Sequence, residues 1–478
     1  MKLFGLLAIA FSIFALEVSA RELGEVELYQ RCTSQITQAR QPLSQDLRVK
    51  LARGEVDPIT ECLKILDRAA FVGENNTQIV DVNDDLAKKV LRTFHSFHFT
   101  WFRVKTMPSA GNTGLLHGTE DIYDISTPAL YYTRALFHPK MQVADIVKGK
   151  QNYRFIRSNQ NPVRSARSQM TKDKYIYVND PPPFAAIGDL LGARNPGVMA
   201  YNYEYLNLSN AMVTGQVEVN KSVGGGLLTN PVYLRANFQE VQGFFSNGAE
   251  RMPRKWAKSV FSDLLCRELP VIRRGDVSPE FYNGDVNDPS VPGFRTARSC
   301  AQCHASMDRM SAVIRNFKYN SIGLGNADYL RGAHFMEYVE PTEAAETENW
   351  RVKPEAKFWK RPGSGNFFYR TSSGQLINQY VNGPEELGQT LADLDDFYLC
   401  TAKRYYSYFT GIDVEVADHG DPDRVPLTAK DQEILGRVKK LATELKTHQR
   451  LRNLVESILR DPNYKKSDFG LDLGATHE

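Results

Sequence analysis

Seven residues, RSCAQCH at positions 298–304, constrain this chain more than any other part of its sequence. They place Cys300 and Cys303 two residues apart, with His304 directly after the second cysteine. This spacing suits a haem that is attached through two thioether bonds, with the adjoining imidazole turned onto the iron. The sequence therefore predicts one covalent haem c, held by Cys300 and Cys303 and ligated by His304.

Two other chemistries use a Cys-x-x-Cys spacing. A structural zinc site needs two further ligands, and no second Cys-x-x-Cys or His-x-x-x-His spacing follows to supply them. A redox-active dithiol is expected beside a βαβ unit, and no such pattern surrounds Cys300. Haem attachment is the favoured interpretation of the three.

The second axial ligand of the iron is less constrained. Methionines within two helical turns of His304 would stay on the proximal side of the ring. Met336 is the best downstream thioether, with His334 as its alternative and Met252 as a weaker upstream candidate. Methionine ligation would raise the reduction potential relative to histidine. A core methionine that fills an apolar gap is the competing interpretation of Met336.

The N-terminus has the pattern of a secretory signal. Lys2 begins a charged start, residues 3–16 are an apolar run, and Val-Ser-Ala ends it at positions 18–20. We expect cleavage after Ala20 and a periplasmic or secreted protein. No later stretch approaches about 18 uninterrupted apolar residues, so no transmembrane segment is predicted. A net charge of only +3 argues against a nucleic-acid partner.

The four cysteines outside the motif are even in number, which suits disulfides in an oxidising compartment. They are Cys32, Cys62, Cys266 and Cys400, and sequence alone allows three pairings. Cys32 and Cys62 lie in helix-like segments, 26–40 and 59–71, that could form a hairpin. We therefore favour Cys32 with Cys62 and Cys266 with Cys400, against the alternative that the second pair are buried free thiols.

Periodicity and turn signals predict a mainly α fold with a small β-hairpin. After the signal at 1–20, we expect an N-terminal helical region at 21–147 and an irregular connection at 148–220. A haem-binding region at 221–345, a β-hairpin connection at 346–384 and a C-terminal helical module at 385–478 follow. Within an amphipathic segment at 84–104, His95 and His98 share one helix face. Hydrogen-bonded core histidines are favoured there over haem or metal ligands.

Several short strings beside the motif resemble those of a known family. They are GLLT at 226–229, RKW at 254–256, LLC at 264–266, ASMD at 305–308 and NF at 316–317, with FYLC at 397–400 and YFTG at 408–411 nearer the C-terminus. The chain is similar to the haem-binding, otherwise uncharacterised family of large exported cytochromes of planctomycetes and of predatory and myxobacteria-like bacteria. The similarity extends to the family's helical companion module and covers roughly 221–320 and 385–465. It implies an exported mono-haem protein and leaves the substrate open.

The residue after Asp308 departs from that family. The family often has Asp-Pro and a glycine at this point, whereas this chain has Asp308 followed by Arg309 and Met310. The departure leaves the attachment residues intact and puts the local turn in question. Asp308 itself lies four residues after His304, where it could accept an orienting hydrogen bond or act as a cap.

Three functions remain compatible with the sequence. The favoured one is a one-electron carrier whose haem has two axial ligands and which serves an unknown redox protein partner. The alternative is a haem enzyme with an open distal position that acts on peroxide or another small oxidant. A di-haem peroxidase would need a second Cys-x-x-Cys-His motif, which the sequence lacks. The third is a binding or structural role within an envelope complex.

Overall fold

The computed structural model describes residues 21–70, 84–102, 127–155, 163–164, 200–201, 217–221, 223–237, 253–277, 298–322, 333–338, 341–342 and 361–471. The predicted signal at 1–20 lies outside these residues. In the described part, thirteen α-helices and eight short strands form a mainly α protein, which confirms the predicted fold class. No helix in that part is both long and apolar enough to cross a membrane.

The helices lie at both ends of the chain and around the haem motif. They are α1 Glu25–Thr37, α2 Gln45–Ala52, α3 Pro58–Asp67, α4 Asp85–Phe99, α5 Thr127–Phe137, α6 Asp145–Lys148, α7 Pro231–Asn237, α8 Arg254–Leu265, α9 Arg298–Ser311, α10 Gly383–Asp393, α11 Asp395–Thr410, α12 Ala429–His448 and α13 Leu451–Leu459. Local sequence sets several of the starts. The Asp57 carboxylate accepts the Thr60 amide and Pro58 occupies the first turn of α3, while Asp84 caps α4 in the same way.

The strands form four separate antiparallel pairs. β1 Gln151–Phe155 pairs with β4 Val217–Lys221, β2 Val163–Arg164 with β3 Ala200–Tyr201, β5 Phe317–Ile322 with β6 Ala333–Tyr338, and β7 Ser364–Arg370 with β8 Leu376–Asn382. The β7–β8 pair is the predicted hairpin, and its turn carries the expected Gly374 at positive φ. The β1–β4 pair lies at the two ends of the segment 148–220, for which the sequence predicted an irregular connection.

One hydrophobic core joins the N-terminal and C-terminal helices, and it includes buried residues from Leu28 to Tyr464. Hydrogen bonds reinforce this union. The Arg31 guanidinium donates to the carbonyls of Tyr464 and Lys466 at 2.8 and 2.7 Å. The helices of the N-terminal region and of the C-terminal module therefore pack together in one core.

Two disulfides link distant parts of this core. Cys32 of α1 is bonded to Cys62 of α3, and Cys266, just after α8, is bonded to Cys400 of α11. This is the pairing that the sequence favoured. The second bridge connects residues 134 positions apart and ties the segment before the haem motif to the C-terminal helices.

Glycines allow close backbone contacts where the C-terminal helices meet the centre of the chain. A Cβ on Gly226, in the triple-glycine run, would lie 2.3 Å from the Ile146 carbonyl oxygen. A Cβ on Gly388 of α10 would lie 2.0 Å from the Val147 carbonyl oxygen. The close approach that the glycine run allows is therefore to another chain segment.

Two Gly→Ala substitutions in helices should have opposite effects on stability. Gly388→Ala adds a methyl group against buried backbone, so we expect a loss of about 1–3 kcal/mol in the free energy of unfolding. A Cβ on Gly436 of α12 would meet no other atom within 4 Å. Gly436→Ala should therefore gain up to about 1 kcal/mol from helix propensity alone. Urea unfolding of both variants measures the difference, and equal shifts would contradict the packing argument.

His138 should make the protein less stable in mild acid. It is 7% exposed, and its Nδ1 accepts the Lys140 and Met141 amides at 3.0 and 2.9 Å. Burial, with smaller contributions from nearby Arg134 and Arg450, lowers the pKa of His138 to about 4. Between about pH 6.5 and 4 the unfolded chain therefore binds a proton that the folded chain refuses, and stability falls as pH falls.

The full effect of His138 is roughly 3 kcal/mol at pH 4, since each pH unit contributes about 1.4 kcal/mol. His138→Asn keeps a side-chain acceptor for the two amides but cannot titrate. In chemical denaturation, the free energy of unfolding of the variant should fall less between pH 6.5 and 4 than that of the wild type. The carboxylates of the protein titrate in both proteins alike. Parallel curves for the two proteins would contradict this assignment.

Candidate functional site

Helix α9 presents the three motif side chains together. Cys300 lies at position i, Cys303 at i+3 and His304 at i+4, so the regular helix brings them to one face. Both thiols are free and partly buried, and the His304 side chain is 24% exposed. Two thiols and one imidazole therefore share one surface of α9.

A carboxylate and a guanidinium hold the His304 ring. Asp308 Oδ1 lies 3.0 Å from His304 Nδ1, one helical turn away. Arg254, at the start of α8, donates to both oxygens of Asp308, from Nε at 2.6 Å and from Nη2 at 2.9 Å. Asp308 lies inside α9, which continues to Ser311, so it orients the histidine and does not cap the helix.

The opposite side of α9 packs against the hairpin. Ala301 and Ala305 form a small buried cluster with Phe368 of β7 and with Ile272 and Val277. A Cβ on Gly365 of β7 would lie only 2.0 Å from the carbonyl oxygen of Arg309. The backbone of β7 therefore runs directly along the motif helix and fixes its orientation.

Helix α8 is fixed near both ends, and this fixes the position of Arg254. Near its start, Trp256 Nε1 donates to the Leu228 carbonyl at 3.2 Å. At its end, Cys266 adopts a positive φ of 53° and forms the bridge to Cys400. The helix therefore stops at Leu265.

The thiol environment differs from that of a reactive dithiol. Burial, with a smaller contribution from the neighbouring Cys300, raises the pKa of the Cys303 thiol, and Lys258 opposes this only in part. Reactive cysteines in redox motifs have lowered thiol pKa values. The environment of Cys303 therefore does not favour the dithiol interpretation.

Two of the proposed distal ligands lie on strand β6. Met336 is opposite Tyr319, and His334 is opposite Ser321 in the same pair of strands. The placement of their side chains is outside the described part, as is Met252 altogether. Met336 therefore stays a prediction for the second axial position.

The donor set fits a covalently held haem. Covalent attachment uses two thiols that are not joined to each other, and the iron takes one imidazole whose other ring nitrogen is held by a second group. Cys300, Cys303 and His304 meet these requirements, with Asp308 as the second group. Among the described residues, no three histidine, cysteine or acidic side chains come together as a metal-ion site.

His95 and His98 lie elsewhere, in the core between α4 and α5. Both are fully buried, and their Nδ1 atoms lie 3.1 and 2.9 Å from the Thr133 hydroxyl. This is the hydrogen-bonded core arrangement that the sequence favoured for the pair.

A cavity of about 370 Å³ opens between the hairpin turn and α12, lined by residues that include Arg273, Ser373 and Lys439. None of the three motif residues lines it.

Sequence reasoning did not identify Arg254 as part of the site. Its only signal was the RKW string that opens α8, and nothing in that string points to Asp308. No protein-family model, curated protein or solved structure matches this chain.

Proposed function

We propose that this is an exported, c-type cytochrome-like protein that carries one covalently bound haem and transfers single electrons to a protein partner. The observation that carries the proposal is the Arg254–Asp308–His304 chain of hydrogen bonds beside two free thiols. A histidine that ligates a metal usually donates its second N–H to a carboxylate or carbonyl group. His304 has this arrangement on the helix face that carries Cys300 and Cys303.

Each residue has a distinct part in the proposed site. Cys300 and Cys303 would tether the porphyrin through thioethers, and His304 would ligate the iron through Nε2. Asp308 accepts a hydrogen bond from the Nδ1–H of His304 and so fixes the tautomer that leaves Nε2 as the ligating atom. The haem supplies the one-electron couple when it is bound.

Export is part of the proposal. The two disulfides suit an oxidising compartment, and the signal-like pattern at 1–20 agrees with it. The resemblance to the exported cytochrome family supports the same conclusion. These observations favour the periplasm or the cell exterior.

One observation favours a second candidate, a haem enzyme that acts on peroxide or another small oxidant. A carboxylate hydrogen-bonded to the proximal imidazole raises the basicity of that ligand, which stabilises oxidised iron. Arg254 offsets this effect, because two charge-assisted hydrogen bonds draw electron density from Asp308. Because Arg254 balances the charge of Asp308, the electron carrier remains the first proposal.

The test is a redox titration of the purified mature protein with optical detection, followed by exposure to carbon monoxide, nitric oxide and peroxide. A carrier should give a low-spin spectrum, reversible one-electron behaviour and no ligand binding. Rapid binding of carbon monoxide with turnover of peroxide would replace the carrier with the enzyme. A purified protein without haem would exclude both.

Substitutions in the Arg254–Asp308 pair should shift the reduction potential in opposite directions. Asp308→Asn removes the negative charge next to His304 and should raise the potential. Arg254→Lys keeps the positive charge but loses the bidentate contact, so Asp308 becomes more basic and the potential should fall. Spectroelectrochemical titration measures both shifts. Shifts of the same sign would contradict the role assigned to Asp308.

A further inference from the structure

A buried group of aromatic rings fills the space between α4, α5 and α11. Trp101 lies at its centre, with ring centroids 4.5 Å from Tyr132, 5.0 Å from His98 and 5.7 Å from Tyr405. Tyr405 is fully buried, and its hydroxyl lies 2.7 Å from His98 Nε2. These four residues are called the aromatic cluster below.

The hydrogen bonds around His98 fix where its proton lies. The Thr133 hydroxyl donates to the Ala129 carbonyl at 2.9 Å, so its oxygen can accept from the Nδ1 atoms of both His95 and His98, 3.1 and 2.9 Å away. We therefore place the ring proton of His98 on Nδ1, 2.9 Å from that oxygen. Nε2 is then unprotonated and accepts the phenolic proton of Tyr405. The network thus assigns Tyr405 as the donor and His98 as its base.

His98 is kept neutral by its surroundings. Burial, with smaller contributions from His95 and Arg404, lowers the pKa of His98 well below its usual value. A neutral imidazole can accept a proton, and one with a lowered pKa returns it readily. The hydrogen-bonded path from His98 through the Thr133 hydroxyl ends at the Ala129 carbonyl. A proton received at His98 Nε2 therefore has no onward acceptor along that path.

We infer that Tyr405 is a redox-active tyrosine whose oxidation is coupled to proton transfer to His98. An inorganic radical oxidant such as azidyl takes one electron from Tyr405 and becomes its anion, the phenolic O–H bond breaks, and the proton forms an N–H bond at His98 Nε2. The products are a neutral tyrosyl radical, an imidazolium and the reduced oxidant. Return of one electron moves the proton back to the phenolic oxygen. This centre goes beyond the proposed haem function and does not depend on it.

Trp101 is suited to pass its oxidation on to Tyr405. The indole Nε1 is buried and has no hydrogen-bond partner in the described structure, so no base there takes its proton. Oxidised Trp101 is therefore expected to take an electron from Tyr405, whose base is in position.

Two other buried tyrosines provide a contrast. Tyr233 donates to Asp263 at 3.2 Å, and Tyr369 donates to Asp396. In both pairs the acceptor is a carboxylate in place of an imidazole. Tyr233→Phe is therefore a matched control that also removes a buried, hydrogen-bonded hydroxyl.

The test is one-electron oxidation of the purified protein, with any haem in the ferric state, by azidyl radicals made in pulse radiolysis. The wild type should form a long-lived tyrosyl radical, detected by its visible absorption and by electron paramagnetic resonance. Tyr405→Phe should lose this long-lived signal, and so should His98→Gln, which keeps an acceptor but removes the base. Tyr233→Phe should keep it. An undiminished signal in Tyr405→Phe would overturn the inference.

A second measurement needs no variant and so does not depend on whether the substituted proteins fold. Protein grown with ¹⁵N-labelled histidine is oxidised in the same way and examined by pulsed electron paramagnetic resonance. A nitrogen coupling from histidine on the tyrosyl radical is expected, because His98 Nε2–H would donate to the radical oxygen. A radical without histidine coupling would contradict the assignment of His98 as the proton acceptor.

Discussion

Replacement of both Cys300 and Cys303 by alanine is expected to abolish covalent haem attachment, and each single replacement should leave one thioether. The physical reason is that α9 offers these two free thiols on the face that carries His304. Haem staining of a denaturing gel after acid-acetone extraction gives the result directly. The double variant should lose the stain, and the single variants should shift the optical bands of the denatured haem according to the number of thioethers.

Gln302→Ala is the control for these variants. Gln302 lies between the two cysteines, and its amide donates to the Ile272 carbonyl at 2.7 Å. The substitution changes the same turn of α9 but leaves both thiols in place, so the stain should remain. Full staining of the double cysteine variant would show that these cysteines do not attach the cofactor.

The parts of the fold that could be predicted depend on signals within a few residues. Capped by Asp57, α3 begins one residue before the helix-like segment predicted at 59–71, and Gly374 lies in the turn of the hairpin predicted within 346–384. Both elements form where expected because a local capping contact or a positive φ decides them. The β1–β4 pair is different, since Gln151 meets Lys221 across a gap of many residues. No local pattern encodes a pairing at that separation.

The same distinction applies to the candidate site. The motif itself is local, so its three residues could be identified from their spacing. The Arg254–Asp308 contact joins residues 54 positions apart, and the His98–Tyr405 contact joins residues 307 positions apart. Such contacts arise only when α8 packs on α9 and α4 packs near α11. The sequence shows which side chains can donate or accept hydrogen bonds, but it does not show which of them meet in the fold.

Loss of the buried ion pair beneath the hairpin should destabilise the protein strongly. Arg267 and Asp396 are 3% and 1% exposed, with 3.6 Å between Nη1 and Oδ2. Asp396 also accepts hydrogen bonds from the Tyr369 hydroxyl and from the amide of Ser372, the latter at 2.8 Å. This one carboxylate therefore joins β7, the hairpin turn and α11 near the Cys266–Cys400 bridge.

Asp396→Asn should lower the free energy of unfolding by about 3–5 kcal/mol, because it removes the charge that forms an ion pair with the buried Arg267. Asp395→Asn is the matched control, since the same substitution at the adjacent residue changes a side chain that is 89% exposed. Its surface ion pair with Lys446 should be worth no more than about 1 kcal/mol. Urea unfolding at neutral pH measures both values. If Asp396→Asn lowers the free energy of unfolding no more than Asp395→Asn does, the Arg267–Asp396 pair does not hold the hairpin to α11. The Arg267 charge would then be compensated by its remaining contacts to the Tyr369 hydroxyl and the Arg370 carbonyl.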